Sequence, residues 1–301
     1  MLVSIVIPSY NHRQYVVQAI ESVLDQDWPE IDLIVIDDGS KDGSPEVISE
    51  LLERRGGFRF VSRENCGLIK TLNQGLSMAR GDFFCELASD DYLPVDSISI
   101  RAKAIANDPT SIAVYANGHL VFDNEVIENG LINDKQRQMF ASEDPVAWMI
   151  RGVLPVFSSG LYRIDAIRDI GGFDENTYKY YEDLEIPVRL CGLGHVKFMD
   201  KPVIYRREHD SNISKTTNHV RLEKVRCLDK LLSDEEFIHH KDDLVKLLAH
   251  EYFKYGKSLL RQRIVTNDDY DTFWKSKHYF RTDIRLVFLY VMLRLREYAK
   301  R

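Results

Sequence analysis

Leu33-Ile34-Val35-Ile36-Asp37-Asp38-Gly39-Ser40 decides the fold. A fully apolar run that stops at two carboxylates and a glycine reads as a buried strand with a turn at its carboxyl end. On its amino-terminal side, Val3-Ser4-Ile5-Val6-Ile7-Pro8 is another β-branched run, closed by proline. Between the two, Val16, Val17, Ile20, Val23 and Leu24 recur at helical spacing. On its carboxyl side, Val47, Ile48, Leu51 and Leu52 mark a second helix and Phe58-Arg59-Phe60-Val61 a third strand. Leu68, Leu72, Leu76 and Ala79 then stripe a helix from Gly67 to Ala79, and Phe83-Phe84-Cys85-Glu86-Leu87 runs straight into Ser89-Asp90-Asp91. Strands alternating with helices predict right-handed βαβ units, hence an α/β fold with a mostly parallel sheet flanked by helices. Ligands of such sheets sit outside the carboxyl ends of the strands, where both aspartate pairs fall.

Beyond residue 112 the pattern becomes mixed. Ile112-Ala113-Val114-Tyr115 and His119-Leu120-Val121-Phe122 read as strands, with Asn117-Gly118 as the turn between them. A strand near Val156 to Tyr162, a turn at Gly171-Gly172-Phe173 and a helix from Glu182 to about Leu193 follow. From about Thr216 the chain is helical and highly charged, which predicts two domains, 1–215 and a C-terminal helical annex, 216–301.

The 301 residues are 44% hydrophobic and 29% charged, a globular composition, and the net charge of −7 offers no global basic field for nucleic acid. Cys66, Cys85, Cys191 and Cys227 show neither a C-x-x-C pair nor zinc spacing, so they are expected to be buried or half-buried free thiols in a reducing compartment. Nothing before Val3 resembles a signal peptide, and the longest apolar run, Leu286 to Leu293, falls short of the roughly 17–25 residues of a bilayer span. A cytoplasmic protein is expected, placed at the inner face of the membrane if its last helices meet lipid.

The carboxylates fall into separate groups suited to separate tasks. A divalent metal held by carboxylate acts as a Lewis acid on phosphate oxygens, and a second carboxylate across the reacting centre takes a proton as general base. Asp90-Asp91 follows the fourth strand, and Glu182-Asp183 opens a helix whose dipole favours negative charge. A carboxylate at Asp37-Asp38 suits the ring N–H of uracil or thymine. His209, beside Arg206 and Arg207, suits a metal or a diphosphate.

Taken in order, these residues resemble the family 2 glycosyltransferases, inverting enzymes of the GT-A fold. The matching segments are Val3 to Asn11, Ile36 to Ser44, Asn65-Cys66-Gly67, Asn73-Gln74-Gly75, Ala79 to Asp82, Leu87 to Pro94, Gly171 to Glu175, Glu182-Asp183 and His209 to Ser214. They span about residues 2–215. The resemblance implies transfer of a sugar from a nucleotide diphosphate donor, uridine first and thymidine second, to a hydroxyl of a glycan or lipid-linked glycan. Cell-surface polysaccharide synthesis, such as O-antigen assembly, is the pathway it suggests. Tyr10 would pack on the nucleobase and Asp38 accept from its ring N–H, with Pro8, Asp37 and Lys70 in the same nucleotide site. Asp90 would contact the ribose and share the metal, Mn²⁺ or Mg²⁺, with Asp91 and His209. Arg207 would close over the diphosphate, and Asp183, with Glu182 beside it, would be the base.

Many relatives carry Asp-x-Asp at the metal motif, where this chain has Ala88. Ala88 favours a non-catalytic sugar-nucleotide binder, against which Asp91 and Asp183 stand. A sugar nucleotidyltransferase would need a glycine- and arginine-rich loop after the first strand, and Pro8-Ser9-Tyr10-Asn11-His12-Arg13 is not one. The final segment, 277–301, interleaves Lys277, Arg281, Arg285, Arg294, Arg296, Lys300 and Arg301 with the mostly apolar stretch from Ile284 to Leu293. It fits a packed terminal helix with solvated flanks, contact with anionic lipid headgroups, or a homodimer contact, and the sequence does not choose.

Overall fold

The structure, a computed structural model, describes residues 1–122, 125–128, 130–177, 181–209, 217–262 and 265–298. It divides into two compact units, Met1–Glu175 with Glu182–His209, and Asn176–Tyr181 with Asp210–Arg301. The boundary expected at 215/216, and the motif residues from Asp210 to Ser214, lie outside the described residues.

The first unit opens with the expected alternation: β1 (Val3–Ser9), α1 (Val16–Leu24), β2 (Ile31–Asp38), α2 (Ser44–Arg55), β3 (Phe58–Arg63), α3 (Leu68–Met78) and β4 (Phe83–Glu86). It continues through α4 (Ser97–Ala106), β5 (Ser111–Phe122), β6 (Glu125–Ile127), α5 (Asp134–Phe140), α6 (Pro145–Ile150), β7 (Leu161–Arg163), α7 (Ile164–Asp169), α8 (Glu182–Leu193) and β8 (His195–Glu208). The sheet order is β3-β2-β1-β4-β7-β5-β6, with β8 on the free side of β5. Strands β1 to β4 are mutually parallel, β7 is antiparallel to both β4 and β5, and β8 is parallel to β5. This is the mixed, mostly parallel sheet flanked by helices that the alternation predicts. One face of it packs Val3, Ile5, Ile7, Leu33 and Val35 against Val16, Ala19, Ile20 and Val23 of α1. Those apolar side chains supply most of the driving force for the layer.

Two features of the topology place the site. The chain lays β2 and β3 on one side of β1 and then returns to lay β4 on the other, so the order reverses at the β1/β4 junction. A crevice opens at such a switch point, between the loops that leave the two strands. The two reversals around β7 cancel, so the carboxyl ends of β5 and β8 reach the same edge as that of β4.

Two local expectations are corrected. Asn117-Gly118 is not a hairpin turn; β5 runs unbroken through it, with the register against β8 shifting on either side of Asn117. The buried Asn117 amide donates to Asp200 Oδ1 at 2.6 Å and its carbonyl accepts the Gly118 N–H at 2.7 Å, so the irregularity is satisfied inside the sheet. Gly118 is required by closeness: a Cβ there would stand 2.6 Å from the Ile204 side chain and carbonyl. The strand expected near Val156 to Tyr162 begins only at Leu161, after a 3₁₀ turn at Phe157–Ser159. There the fully buried Arg101 donates from Nη1 to the Gly160 carbonyl at 2.8 Å, and Tyr162 Oη donates to the Phe157 carbonyl at 2.9 Å. These side chains take the carbonyls a strand would have paired.

The second unit is helical, as expected: α9 (Thr217–Ser233), α10 (Lys241–Arg261), α11 (Asn267–Trp274) and α12 (Arg285–Tyr298), with α10 packing against α9 and α12. Asp229 accepts from Tyr252 Oη at 2.8 Å and Tyr279 Oη at 3.2 Å, and a Thr266–Asp269 capping box starts α11. No described helix is long and apolar enough to cross a membrane. All four cysteines are free, and Cys66 is exposed rather than sheltered.

Candidate active site

The β2 end forms one wall. Asp37 is fully buried, and its two oxygens accept from the Ser40 N–H at 3.0 Å and the Ser40 hydroxyl at 2.5 Å. That carboxylate fastens its own turn. Gly39 has φ +77, and a Cβ would lie 2.6 Å from the Asn65 backbone nitrogen, so the turn demands glycine. Asn11, itself left-handed at φ 55, takes Ser40 Oγ on its N–H at 2.8 Å and the Lys41 N–H on its side chain at 2.9 Å. The loops after β1 and β2 thereby form one rim, on which the Tyr10 ring stands exposed. Pro8, half-buried, lies in β1 opposite Ile36. Asp38 accepts the Cys66 and Gly67 N–H groups at 2.9 and 2.8 Å and pairs with Arg63 Nη1 at 2.7 Å. It anchors the start of α3, whose first turn carries Lys70 exposed. A carboxylate has about four acceptor sites, so these bonds leave Asp38 room for a ring N–H.

The β4 end forms the centre. A turn closed by Asp91 N–H to Ala88 O at 3.0 Å presents Asp90 and Asp91, and Tyr92 then bridges to Tyr205 of β8 before α4 begins. That bridge delivers the end of β8. The Arg207 N–H donates to Asp91 Oδ1 at 2.8 Å, and the Arg207 guanidinium reaches the Asp90 carbonyl and the Gln18 side chain. The guanidinium carbon lies 4.5 Å from the Tyr92 ring centroid and 5.1 Å from that of Tyr15. His209 Nε2 meets Asp90 Oδ2 at 2.9 Å, and its ring stacks on Tyr15 at 5.1 Å. From the β1 loop comes His12, its Nδ1 2.8 Å from Ser89 Oγ.

Burial, with Asp90 next to it, drives the Asp91 pKa well above the ordinary carboxylate range, against the pull of the Arg207 N–H and the nearby arginines. Burial lowers the His12 pKa, which favours the neutral, metal-ligating imidazole. One ligand atom each from His12, Asp90 and His209 lies within 4.8 Å of the others. Two imidazoles and a carboxylate suit a borderline ion such as Mn²⁺ better than Mg²⁺, which prefers oxygen throughout. The residues present therefore fit a divalent metal. Asp91 lies beside that group, its Oδ1 held by the Arg207 N–H.

Glu86, the last residue of β4, forms the floor. It is buried, accepts from Ser158 Oγ at 2.6 Å, and has its pKa pushed up to about 8 by burial, with Glu182, Asp91 and Asp90 adding to the rise. Glu182, half-buried beside Asp183 at the head of α8, thus shares one acidic neighbourhood with the β4 end, and the helix dipole favours both charges at the head of α8.

The fold brings Asp90, Asp91, Arg207 and His209 into direct contact, sets Glu182 within electrostatic reach of them through Glu86, and places Tyr10 on the β1–β2 rim, with Asp38 fastening the start of α3 and Lys70 exposed on its first turn. Sequence reasoning missed His12, Tyr15 and Glu86. The adjacency of β1 and β4 at the switch point was the available signal for His12, since it sets residues after Ser9 beside residues after Glu86. A lone glutamate ending an apolar strand was the signal for Glu86.

Residues 4–170 match the family model described as Glycosyl transferase family 2. The chain is similar to a chondroitin synthase of Pasteurella multocida (strain Pm70), 29% identical over 214 residues, which make up 71% of this chain and 21% of that protein. The chain thus spans about a fifth of that relative's length. Among solved structures, residues 1–349 of S. aureus TarS match with a TM-score of 0.66 at 17% identity, over 96% of this chain and 83% of that one. TarS has also been solved with UDP-GlcNAc. A mannosyltransferase from Pyrobaculum calidifontis, in complex with GDP-Man and Mn²⁺, matches at a TM-score of 0.62 and 15% identity, over 96% of this chain and 86% of that one. These likenesses show the fold.

Proposed function

The chain belongs to glycosyl transferase family 2, and from that premise we propose that it moves a sugar from a UDP-sugar donor to a hydroxyl of a glycan or lipid-linked glycan acceptor, by direct displacement with inversion. The observation that carries this reading is the convergence of Asp90, Asp91, His209 and His12 at the sheet switch point. Bound there by Asp90, His209 and His12, with Asp91 as the neighbouring carboxylate, Mn²⁺ or Mg²⁺ would neutralise the charge that builds on the departing diphosphate. Arg207, held between Tyr15 and Tyr92, adds a fixed positive group at the same place. Asp38 accepts from the ring N–H of the base while Tyr10 covers its face, and Lys70 and Pro8 line the same rim.

Asp183 takes the proton of the acceptor hydroxyl, and Glu182 beside it holds the local field negative, which keeps the base strong. Glu86 keeps its proton at neutral pH and so adds no further negative charge under the diphosphate. Cell-surface polysaccharide synthesis is the setting this activity suits.

Calorimetric titration of UDP, dTDP and GDP, each with and without Mn²⁺, tests the reading. The expected result is Mn²⁺-dependent binding of UDP that is lost in Asp91→Ala and in Asp90→Ala. Tight UDP binding that ignores Mn²⁺ would remove the metal from the proposal. Binding of none of the three would remove the donor.

A further inference from the structure

The second unit carries a surface that the proposed chemistry does not use. Helix α12 buries Leu286, Leu289 and Leu293 against its own unit. Its opposite side leaves Phe288, Val291, Met292, Leu295 and Tyr298 exposed, with Ile284 just before the helix; Ile284 is 74% and Tyr298 83% exposed. These six positions are spaced three, four and seven apart. At about 100° per residue they fall on a single arc of roughly a third of the circumference, centred opposite the buried leucines. A stripe this continuous is an interaction surface rather than scattered exposure.

Its borders are cationic. On the same wheel, the exposed Arg285 and Arg294 stand on the two flanks of the arc. Arg285 lies over the Phe253 ring at 4.1 Å, with Lys257 5.5 Å from the same centroid, and Arg294 lies over Trp274 at 4.1 Å. Before the helix, the exposed Lys275, Lys277 and Arg281 have no acidic partner among the described residues. In a chain of net charge −7, the segment 275–298 holds six Lys and Arg against two acids. Both acids are engaged within the segment, Asp283 with Arg285 at 2.6 Å and Glu297 with Arg294 at 3.1 Å.

We propose that this face of α12 lies in the surface of an anionic lipid bilayer, its apolar arc among the acyl chains and its flanking cations at the headgroups. Charge selects this occupant over a second copy of the chain. An isologous contact through the arc would bring together two copies of a segment that holds six Lys and Arg against two acids, and those acids are already paired with Arg285 and Arg294. A negative headgroup layer complements both borders at once, and the long arginine and lysine stems reach it while the arc is immersed. The exposed ring of Tyr298, at the edge of the arc, suits the headgroup depth.

The test needs neither donor nor acceptor, so it stands apart from the sugar-transfer reading. The full chain is sedimented with vesicles of phosphatidylcholine alone and of phosphatidylcholine mixed with phosphatidylglycerol. Binding to the mixed vesicles should exceed binding to neutral ones by at least about tenfold. The pair Phe288→Ser and Leu295→Ser should weaken it by at least about tenfold with an unchanged melting midpoint. Because serine exchanges can loosen a helix, Lys277→Glu with Arg281→Glu, both on exposed sites, gives a second measure and should erase the preference for phosphatidylglycerol. Absence of the wild-type chain from both vesicle pellets overturns the proposal. So does binding that the serine pair leaves intact, and so does a solution dimer that the serine pair dissolves while no vesicle is bound.

Discussion

Glu86→Gln, measured against pH, interrogates the floor of the site. The Glu86 carboxyl has a pKa of about 8 in the fold against 4.5 for the ordinary side chain, chiefly through burial. Between those two values the unfolded chain has released this proton and the folded one keeps it. The folded pKa is the raised one, so the contribution to stability is complete below about pH 4.5 and is lost as pH rises through about 8. In that window the folded state binds one more proton than the unfolded state, and stability falls by about 1.4 kcal/mol per pH unit. From pH 5.5 to 7.5 the loss is therefore about 3 kcal/mol from this group alone.

Glutamine keeps the shape and an acceptor for Ser158 but cannot ionise, so the variant should be free of that slope. Urea unfolding of both proteins at half-unit pH steps, in chelator so that no cation settles the neighbouring carboxylates, gives the difference directly. Groups that titrate in both proteins, Asp91 included, cancel to first order. The variant should gain on the wild type steadily as pH rises. A difference that stays constant across the window would refute the buried, protonated carboxyl. A variant already crippled at pH 5.5 would point instead to a charged Glu86 that the fold depends on.

Other perturbations act on the remaining walls. Asp183→Asn should lower turnover by about 10²- to 10⁴-fold while calorimetric donor binding is retained, since only the proton acceptor is removed. An unchanged transfer rate would dismiss Asp183 as the base. His12→Ala should weaken Mn²⁺-dependent nucleotide binding by about tenfold or more and leave metal-free binding alone, and equal affinities in the two proteins would take His12 out of the metal set. Arg101→Lys should cost about 3 kcal/mol in thermal or urea unfolding, because one ammonium cannot serve the Gly160 carbonyl, Ser97 Oγ and Cys85 Sγ together. Destabilisation below about 1 kcal/mol would mean that water takes over the abandoned carbonyls.

The first half of the sheet was legible because its information is local. Val3 to Pro8, Leu33 to Ile36 and Phe83 to Leu87 are apolar runs bounded by breakers, and the helices between them carry their own period. Asn117-Gly118 misled for the same reason: the dipeptide is a strong local turn signal, but Asp200 and Ile204 arrive from a strand some eighty residues later and use it otherwise. Arg101 does likewise to residues 157–160 from across the unit. At the site, residue types were visible and their tasks less so. Asp37 and Asp38 look alike in sequence, yet Ser40 consumes Asp37 while Asp38 faces the start of α3. His12 carried no pattern of its own, since what sets it beside Asp90 and His209 is the order of the strands.

The double reversal around β7 also has a consequence for the timing of biosynthesis. Asp90 and His209, which meet at 2.9 Å, are 119 residues apart in the chain, and Gln18 and Arg207 are 189 apart. A nascent chain that has laid down β1 to β4 already owns the rim and both aspartates, but it lacks the guanidinium and the second imidazole until β8 has emerged and paired. Metal affinity should therefore be acquired late and abruptly, as the last strand seals the sheet, and truncated products of stalled synthesis would hold neither ion nor donor. The same long loops make closure slow. A donor bound as proposed would span the first and last strands, so occupancy should protect the whole unit against unfolding rather than its rim alone.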